Sequence, residues 1–269
     1  MSWLWVPIGL YLLLVGTLFV FQRSLLYLPS SDRPDPARAG TPAPEVVSLE
    51  AADGIGTEHW YWPPATGEAP VLVVFQGNAG HLGHRADKYR FVLESGAGLL
   101  LAGYRGYGGN QGSPSEAGFT ADGTALLAWL QGRDIVPART VLYGESLGTG
   151  LAVKLAAAAA QPMAAVILEA PYTSIAAVAQ SHYWYVPALW LVRDKWDSEA
   201  VVAEIRTSLL VLHGERDRTV PTRFGRALFE AAVEPKDALW LPQAGHNDVL
   251  DHPEARQRVL DRLAEVAKR

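Results

Sequence analysis

"TVLYGESLGTGLAVKLAAAAA", residues 140–160, begins as an apolar strand and within a few residues becomes an alanine-rich helix, with Ser146 at the corner. A serine at such a place has two uses. Its hydroxyl can cap the helix N-terminus, or the corner can exist to present that hydroxyl to something else. Gly144-Glu145-Ser146-Leu147-Gly148 fits G-x-S-x-G between strand and helix. In that setting the glycines allow a sharp turn and close packing, and the serine side chain stands exposed at the strand end. A serine hydroxyl is a poor nucleophile unless a base takes its proton and a third group orients the base. The second use therefore requires partners elsewhere in the chain.

Working outward, short β-rich apolar runs lie at 46–50, 57–62, 71–75, 98–103, 140–144, 165–169, 209–213 and 238–242, which makes eight candidate strands. From the third onward, segments of helical length lie between or after them, at 81–94, 117–131, 146–160, 222–233 and 253–268. Near-continuous apolar strands alternating with helices predict a mostly parallel sheet covered on both faces. The first two runs are joined by "AADGIG", too short for a crossover helix, so they should form an antiparallel hairpin at one edge. A chain of 269 residues, nearly half of them apolar, is long enough for this α/β class. A net charge of −5 without a basic stripe argues against nucleic acid as a partner. The absence of cysteine removes disulfides, cysteine nucleophiles and thiolate metal sites.

Of the seven histidines, His246 in "LPQAGHNDVLDHP" follows the last strand, where a loop can reach Ser146. His59 and His213 fall within strands and read as packed or surface residues, while His81 and His84 have no third metal ligand in view. For this architecture the acid falls between serine and base in chain order. Asp217, in "VLHGERDRTVP", meets that demand, although a turn or helix-entry residue would also suit the place; Glu169 is the rival acid. Charge developing on a substrate oxygen needs N–H donors held in advance. The backbone of Leu147 offers one, and that of Asn78 in "FQGNAG" (75–80) the other. A phosphate-binding loop is the competing reading of this turn, but no G-x-x-x-x-G-K-[ST] is present.

The N-terminus differs from the rest. Residues 3–21 carry no charge and as a helix would reach roughly 28 Å, close to a bilayer core. They read as a transmembrane anchor; a signal peptide and a buried core helix are the alternatives, and the run is long for a signal and has no basic region before it. Trp3 and Trp5 at one end, and Arg23 and Tyr27 at the other, suit the two interfaces. Arg23, Arg33 and Arg38 follow the run and lean toward a cytoplasmic domain without assigning the side. The expected organisation is an anchor at 1–22, a Pro-rich linker at 23–45 and a catalytic domain at 46–269, with the anchor acting only as a tether.

Several segments in order, "QRSLLYLPS", "GNAGHLGHR", "YRGYGGNQGSPSEAG", "GESLG", "LEAPYTS", "HGERDRTVP" and "GHND", resemble the α/β-hydrolase fold family. The likeness is to its membrane-anchored branch of protein depalmitoylases and lysophospholipid and monoacylglycerol hydrolases. The resemblance covers nearly the whole chain and implies Ser146, Asp217 and His246 as a catalytic triad, with Asn78 as an oxyanion donor. Gln76 stands where the family usually has His, and "AGYRG" lacks the family's acidic residue before "YRG". In this fold the insert at about 172–200 is the place of the lid. Its "SHYWYVPALWLVRDKWD" (181–197) reads either as a satellite core or as an acyl groove built by Trp184, Tyr185 and Trp190. The expected protein is a membrane-anchored serine hydrolase of esters or thioesters with apolar acyl chains. It would work through an acyl-enzyme, with no metal or organic cofactor and with membrane lipids as its surroundings; no oligomeric state is assigned. A serine peptidase and a noncatalytic anchored binding protein are the alternatives.

Overall fold

The computed structural model describes residues 5–269. Trp3, expected at one membrane interface, lies outside them. Helix α1 (Trp5–Leu26) extends the apolar run by more than a turn beyond Phe21. Most of its side chains are exposed, while Val15, Leu18, Phe19, Gln22 and Leu26 are half-buried on one face, the i, i+3, i+4, i+7 spacing of a docked helix. It is a candidate membrane span.

Eight strands form the main sheet: β1 (Glu45–Glu50), β2 (Gly56–Trp62), β3 (Val71–Phe75), β4 (Gly98–Leu101), β5 (Thr140–Glu145), β6 (Ala165–Glu169), β7 (Leu209–Gly214) and β8 (Lys236–Leu241). Their order is β1-β2-β4-β3-β5-β6-β7-β8. β1 and β2 make the antiparallel hairpin at one edge, β2 pairs antiparallel with β4, and all other neighbours are parallel. Side chains along each strand alternate between two cores. Val73, Phe75, Leu142 and Val211 face helices α3 (Glu116–Gln131), α4 (Leu147–Ala158) and α7 (Thr222–Ala231). Leu72, Val74, Tyr143 and Leu212 face α2 (Ala86–Glu94) and α8 (Pro253–Ala267). Burial on both faces explains why these strands read as unbroken apolar runs. The crossovers diverge on either side of β3, so the chain ends of β3 and β5 open a crevice at the carboxyl edge of the sheet, where α/β folds bind ligands.

The segment expected as a linker is partly packed. Tyr27, expected at a membrane interface, is buried: its ring lies 5.3 Å from that of Phe119 and its hydroxyl accepts from Trp196 Nε1 at 3.2 Å. Leu28 and Pro29 then bridge in parallel to Ala79 and Gly80, beside the loop that follows β3. Residues 104–114 buttress the same loop from the other side. The hydroxyls of Tyr104 and Tyr107 donate to the carbonyls of Gln76 (2.9 Å) and Asn78 (2.8 Å). Arg105, buried between them, donates to both oxygens of Asp122 (3.0 and 2.7 Å) and to Asp53.

Because removing one partner strands the other charge in the core, Arg105→Met should cost about 3–5 kcal/mol. Asp53→Asn, at the half-exposed end of the network, should cost under about 1 kcal/mol. Denaturant unfolding in detergent measures both, and an Arg105→Met loss under about 1 kcal/mol would mean that Asp122 does not depend on Arg105.

Candidate active site

The turn after β5 is tight enough to determine its residues. Ser146 has φ 49°, outside the range L-residues prefer, and its N–H donates to the Glu169 carbonyl at 2.8 Å. A Cβ on Gly148 would lie 2.0 Å from the Phe75 carbonyl oxygen, and one on Gly144 would lie 2.5 Å from Thr149 Cα. Only glycine lets α4 start this close to the end of β3. The Ser146 hydroxyl makes no capping bond to α4 and lies 2.9 Å from His246 Nε2. Of the two uses of the serine, the structure therefore has presentation rather than capping.

His246 enters from the loop after β8, and its Nδ1 lies 2.6 Å from Asp217 Oδ2. Asp217 follows β7 with its carboxylate fully buried. Its Oδ1 accepts from the N–H groups of Thr219 and Val220, both at 2.8 Å. His213 Nε2 lies 3.3 Å from Oδ2 and 2.9 Å from the Val220 carbonyl, an acceptor that requires the proton on Nε2. Burial disfavours the charge on Asp217, but hydrogen bonds from His213, His246 and Val220 outweigh it and hold the carboxyl well below the usual carboxylate range. His213, read from sequence only as a packed or surface residue, is a second histidine on the acid.

Glu169 points elsewhere. Fully buried, it accepts from Lys88 Nζ (2.8 Å) and the Tyr143 hydroxyl (2.6 Å), and burial pushes it up against the pull of Lys88. Neighbouring Glu145 accepts from Arg85 Nε (3.0 Å) and the Tyr89 hydroxyl (3.1 Å); there burial is outweighed by Lys88 and Arg85, which hold it below its ordinary value. Two acids and two bases thus neutralise one another beneath the serine turn, and none reaches His246. His81 and His84 stack ring on ring at 3.8 Å.

Leu147 and Asn78 line the same cavity as Ser146. Leu147 opens α4, so its N–H has no acceptor within the helix. Asn78 is held by its other groups: its carbonyl accepts from Leu28 N–H at 2.9 Å and from Tyr107, and its Nδ2 donates to the Leu26 carbonyl at 2.9 Å. The Gln76 side chain is buried without a protein partner, but its carbonyl is fixed by Tyr104.

The cavity has a volume of about 450 Å³. Its lid wall comes from α5 (Ile175–His182), α6 (Ala188–Leu191) and their connection, through Val178, Tyr183, Val186 and Leu191. Trp184, Tyr185 and Trp190, expected to build the groove, do not line it. In the single turn of α6, Ala188 and Leu191 turn inward and thereby send Trp190 outward. Trp184 and Trp190 are 80% and 85% exposed, so the satellite-core reading fails as well; of the insert's aromatics, Tyr172 at its start and Trp196 near its end are buried. The opposite wall is α1, through Val15, Leu18, Phe19, Gln22 and Leu26. The helix expected to be only a tether therefore forms part of the site.

No family model matches the chain. It is 40% identical over 229 residues to an uncharacterized protein of Mycobacterium tuberculosis, covering 84% of this chain and 81% of that one. The alpha/beta hydrolase domain-containing protein WAV2 of Arabidopsis thaliana is 30% identical over 242 residues, 81% of this chain and 78% of the relative. Lysophosphatidylserine lipase ABHD12 of Danio rerio is 35% identical over 195 residues, 66% of this chain, and the match spans only 51% of that relative. Among solved structures, the esterase Pf2001 of Pyrococcus furiosus superposes with a TM-score of 0.70 at 17% identity, over 88% of this chain and 98% of the other.

Since the Phe75 carbonyl occupies the space a side chain on residue 148 would need, Gly148→Ala should displace β3 from α4 and lose several kcal/mol, as overpacking at its most severe does. Thermal unfolding in detergent would test this; a midpoint within a few degrees of the parent would mean that the turn can relax.

Proposed function

Since the chain belongs to the α/β-hydrolase family, we propose that it is a membrane-associated serine hydrolase that cleaves carboxylic esters carrying an apolar acyl chain. The observation that supports this best is the run of short contacts from Asp217 through His246 to Ser146, ending at the floor of an apolar cavity. In this reading Ser146 Oγ attacks the acyl carbonyl while His246 Nε2 takes its proton. The Leu147 and Asn78 N–H groups receive the developing oxyanion, a contribution of about 3–4 kcal/mol per donor in comparable sites. The tetrahedral species collapses to an acyl-enzyme as His246 returns the proton to the leaving oxygen. Water, deprotonated by the same nitrogen, then releases the acid and restores Ser146. Asp217 stays ionised, fixes the tautomer and stabilises the imidazolium.

The mostly aliphatic walls suit a hydrocarbon chain. Named relatives that are lysophosphatidylserine lipases support a single-chain phospholipid as the natural ester. A thioester presents the same acyl group and differs only in its leaving atom, so it belongs to the same reading.

A fluorophosphonate probe should label the wild-type protein and not Ser146→Ala; an unlabelled wild type would leave a noncatalytic binding protein. Ser146→Ala and His246→Ala should each lower ester turnover by at least about a thousandfold. Asp217→Asn should cost up to about 10⁴-fold, through loss of the correct tautomer. Glu169→Gln should cost far less turnover than Asp217→Asn, because Glu169 bonds Lys88 and Tyr143 rather than His246. The reverse ranking in kcat would transfer the acid to β6.

A further inference from the structure

Residues 183–192, "YWYVPALWLV", contain no charged side chain and are bounded by His182 and Arg193. They form the outer part of the lid, and they are fastened to α1 rather than to the sheet. The Tyr11 hydroxyl donates to the Tyr185 carbonyl at 2.9 Å. Gln22 Nε2 donates to the Leu191 carbonyl at 3.3 Å, and Gln22 Oε1 accepts from the Arg193 N–H at 2.7 Å. Arg23 closes the lower end with two bonds to Asp194, at 2.8 and 2.9 Å.

These fastenings determine the depth of the lid. α1 has 22 residues, about 33 Å of helix against a hydrocarbon core of about 30 Å. The stretch from Tyr11 to Arg23 covers about 18 Å of that length. If α1 crosses the bilayer, a segment bonded to it at Tyr11 and Gln22, and followed at once by the Arg23–Asp194 pair, lies beside the same hydrocarbon. The chemistry of the segment agrees with that position. Irregular backbone at membrane depth needs internal partners for its polar groups; Tyr11 and Gln22 of α1 bond the Tyr185 and Leu191 carbonyls, and Gln180 of α5 bonds the Trp184 carbonyl and the Leu189 N–H. The segment's most exposed side chains, Trp184 and Trp190, are large and apolar, as are the exposed side chains of α1.

We infer that residues 183–192 are a membrane-embedded element docked on α1, and that the cavity mouth between them opens into the acyl region of one leaflet. A single-chain lipid then reaches Ser146 sideways, with its hydrocarbon tail passing between Leu18 of α1 and Val186 of the lid, and never leaves the bilayer. This route rests on the ester-hydrolase reading; the immersion of the lid does not.

The chain has no cysteine, so single reporters can be placed without a background. Trp190→Cys and, independently, Trp184→Cys would carry an environment-sensitive fluorophore in phosphatidylcholine vesicles. Leu13→Cys serves as the reference on α1 and Val136→Cys as the reference on the remote surface. The expected result is quenching of both lid labels by acyl-chain nitroxide lipids, as for Leu13, with protection from aqueous iodide. Lid labels that follow Val136 while Leu13 is lipid-quenched would overturn the inference, as would a Leu13 label open to iodide. For the route, Leu18→Trp should lower the ratio of palmitoyl to butyryl ester kcat/KM at least about tenfold, which corresponds to roughly two methylenes of lost apolar contact. Leu13→Trp, on the lipid face, should leave the ratio unchanged. An unchanged ratio in Leu18→Trp would refute the route. A wild type that cleaves no ester would refute the hydrolase reading, and the labels would still decide the immersion.

Discussion

The contact between the Phe75 carbonyl and Gly148 governs the rest of the architecture. It brings the end of β3 against the first turn of α4, which is what allows the loop after one strand and the turn after another to face a single point. Had residue 148 carried a methyl group, α4 would stand off the sheet. Leu147 and Asn78 would then no longer border the same cavity. The strained backbone of Ser146 is a cost of the same closeness, offset by the Glu169 carbonyl that receives its N–H. Backbone packing of this kind is insensitive to the side chain at position 76, so Gln76 leaves the turn intact.

Charge in this region is sorted into two separate groups. One consists of Asp217, His213 and His246, with the acid saturated by donors and kept ionised despite burial. The other consists of Glu145, Glu169, Arg85 and Lys88, which balance each other on the opposite side of the serine turn. Glu169 bonds a lysine of its own while Asp217 bonds His246, so the two candidate acids differ in environment although both lie at the carboxyl edge of the same sheet.

The sheet, its edge hairpin and the strand ends that carry Ser146, Asp217 and His246 were legible because each rests on a local signal. Unbroken apolar strands, a short Gly-containing connection and the strand-to-helix glycine spacing all act within a few residues. The lid aromatics and α1 were misjudged for one physical reason. Hydropathy does not distinguish a side chain that faces lipid from one that faces an apolar cavity, since both surroundings are equally oily. In α1 the side facing the lid is marked by Tyr11, Gln22 and Arg23, and their meaning emerges once Tyr185, Leu191, Arg193 and Asp194 lie opposite them. In the lid Val178, Tyr183, Val186 and Leu191 face the cavity, while the larger Trp184 and Trp190 do not. Tyr27 was misplaced in the same way, as an amphipathic ring that suits an interface and a core equally well.

The Arg23–Asp194 pair joins positions 171 residues apart in the chain. At the usual pace of synthesis, that separation is on the order of ten seconds or more of translation. The first-made wall of the cavity therefore waits, without its lid and without His246, until nearly all of the chain has emerged. A ribosome-bound fragment lacks a complete site at every length short of about the last strand. Nascent copies thus carry α1 long before they carry the residues it faces across the cavity.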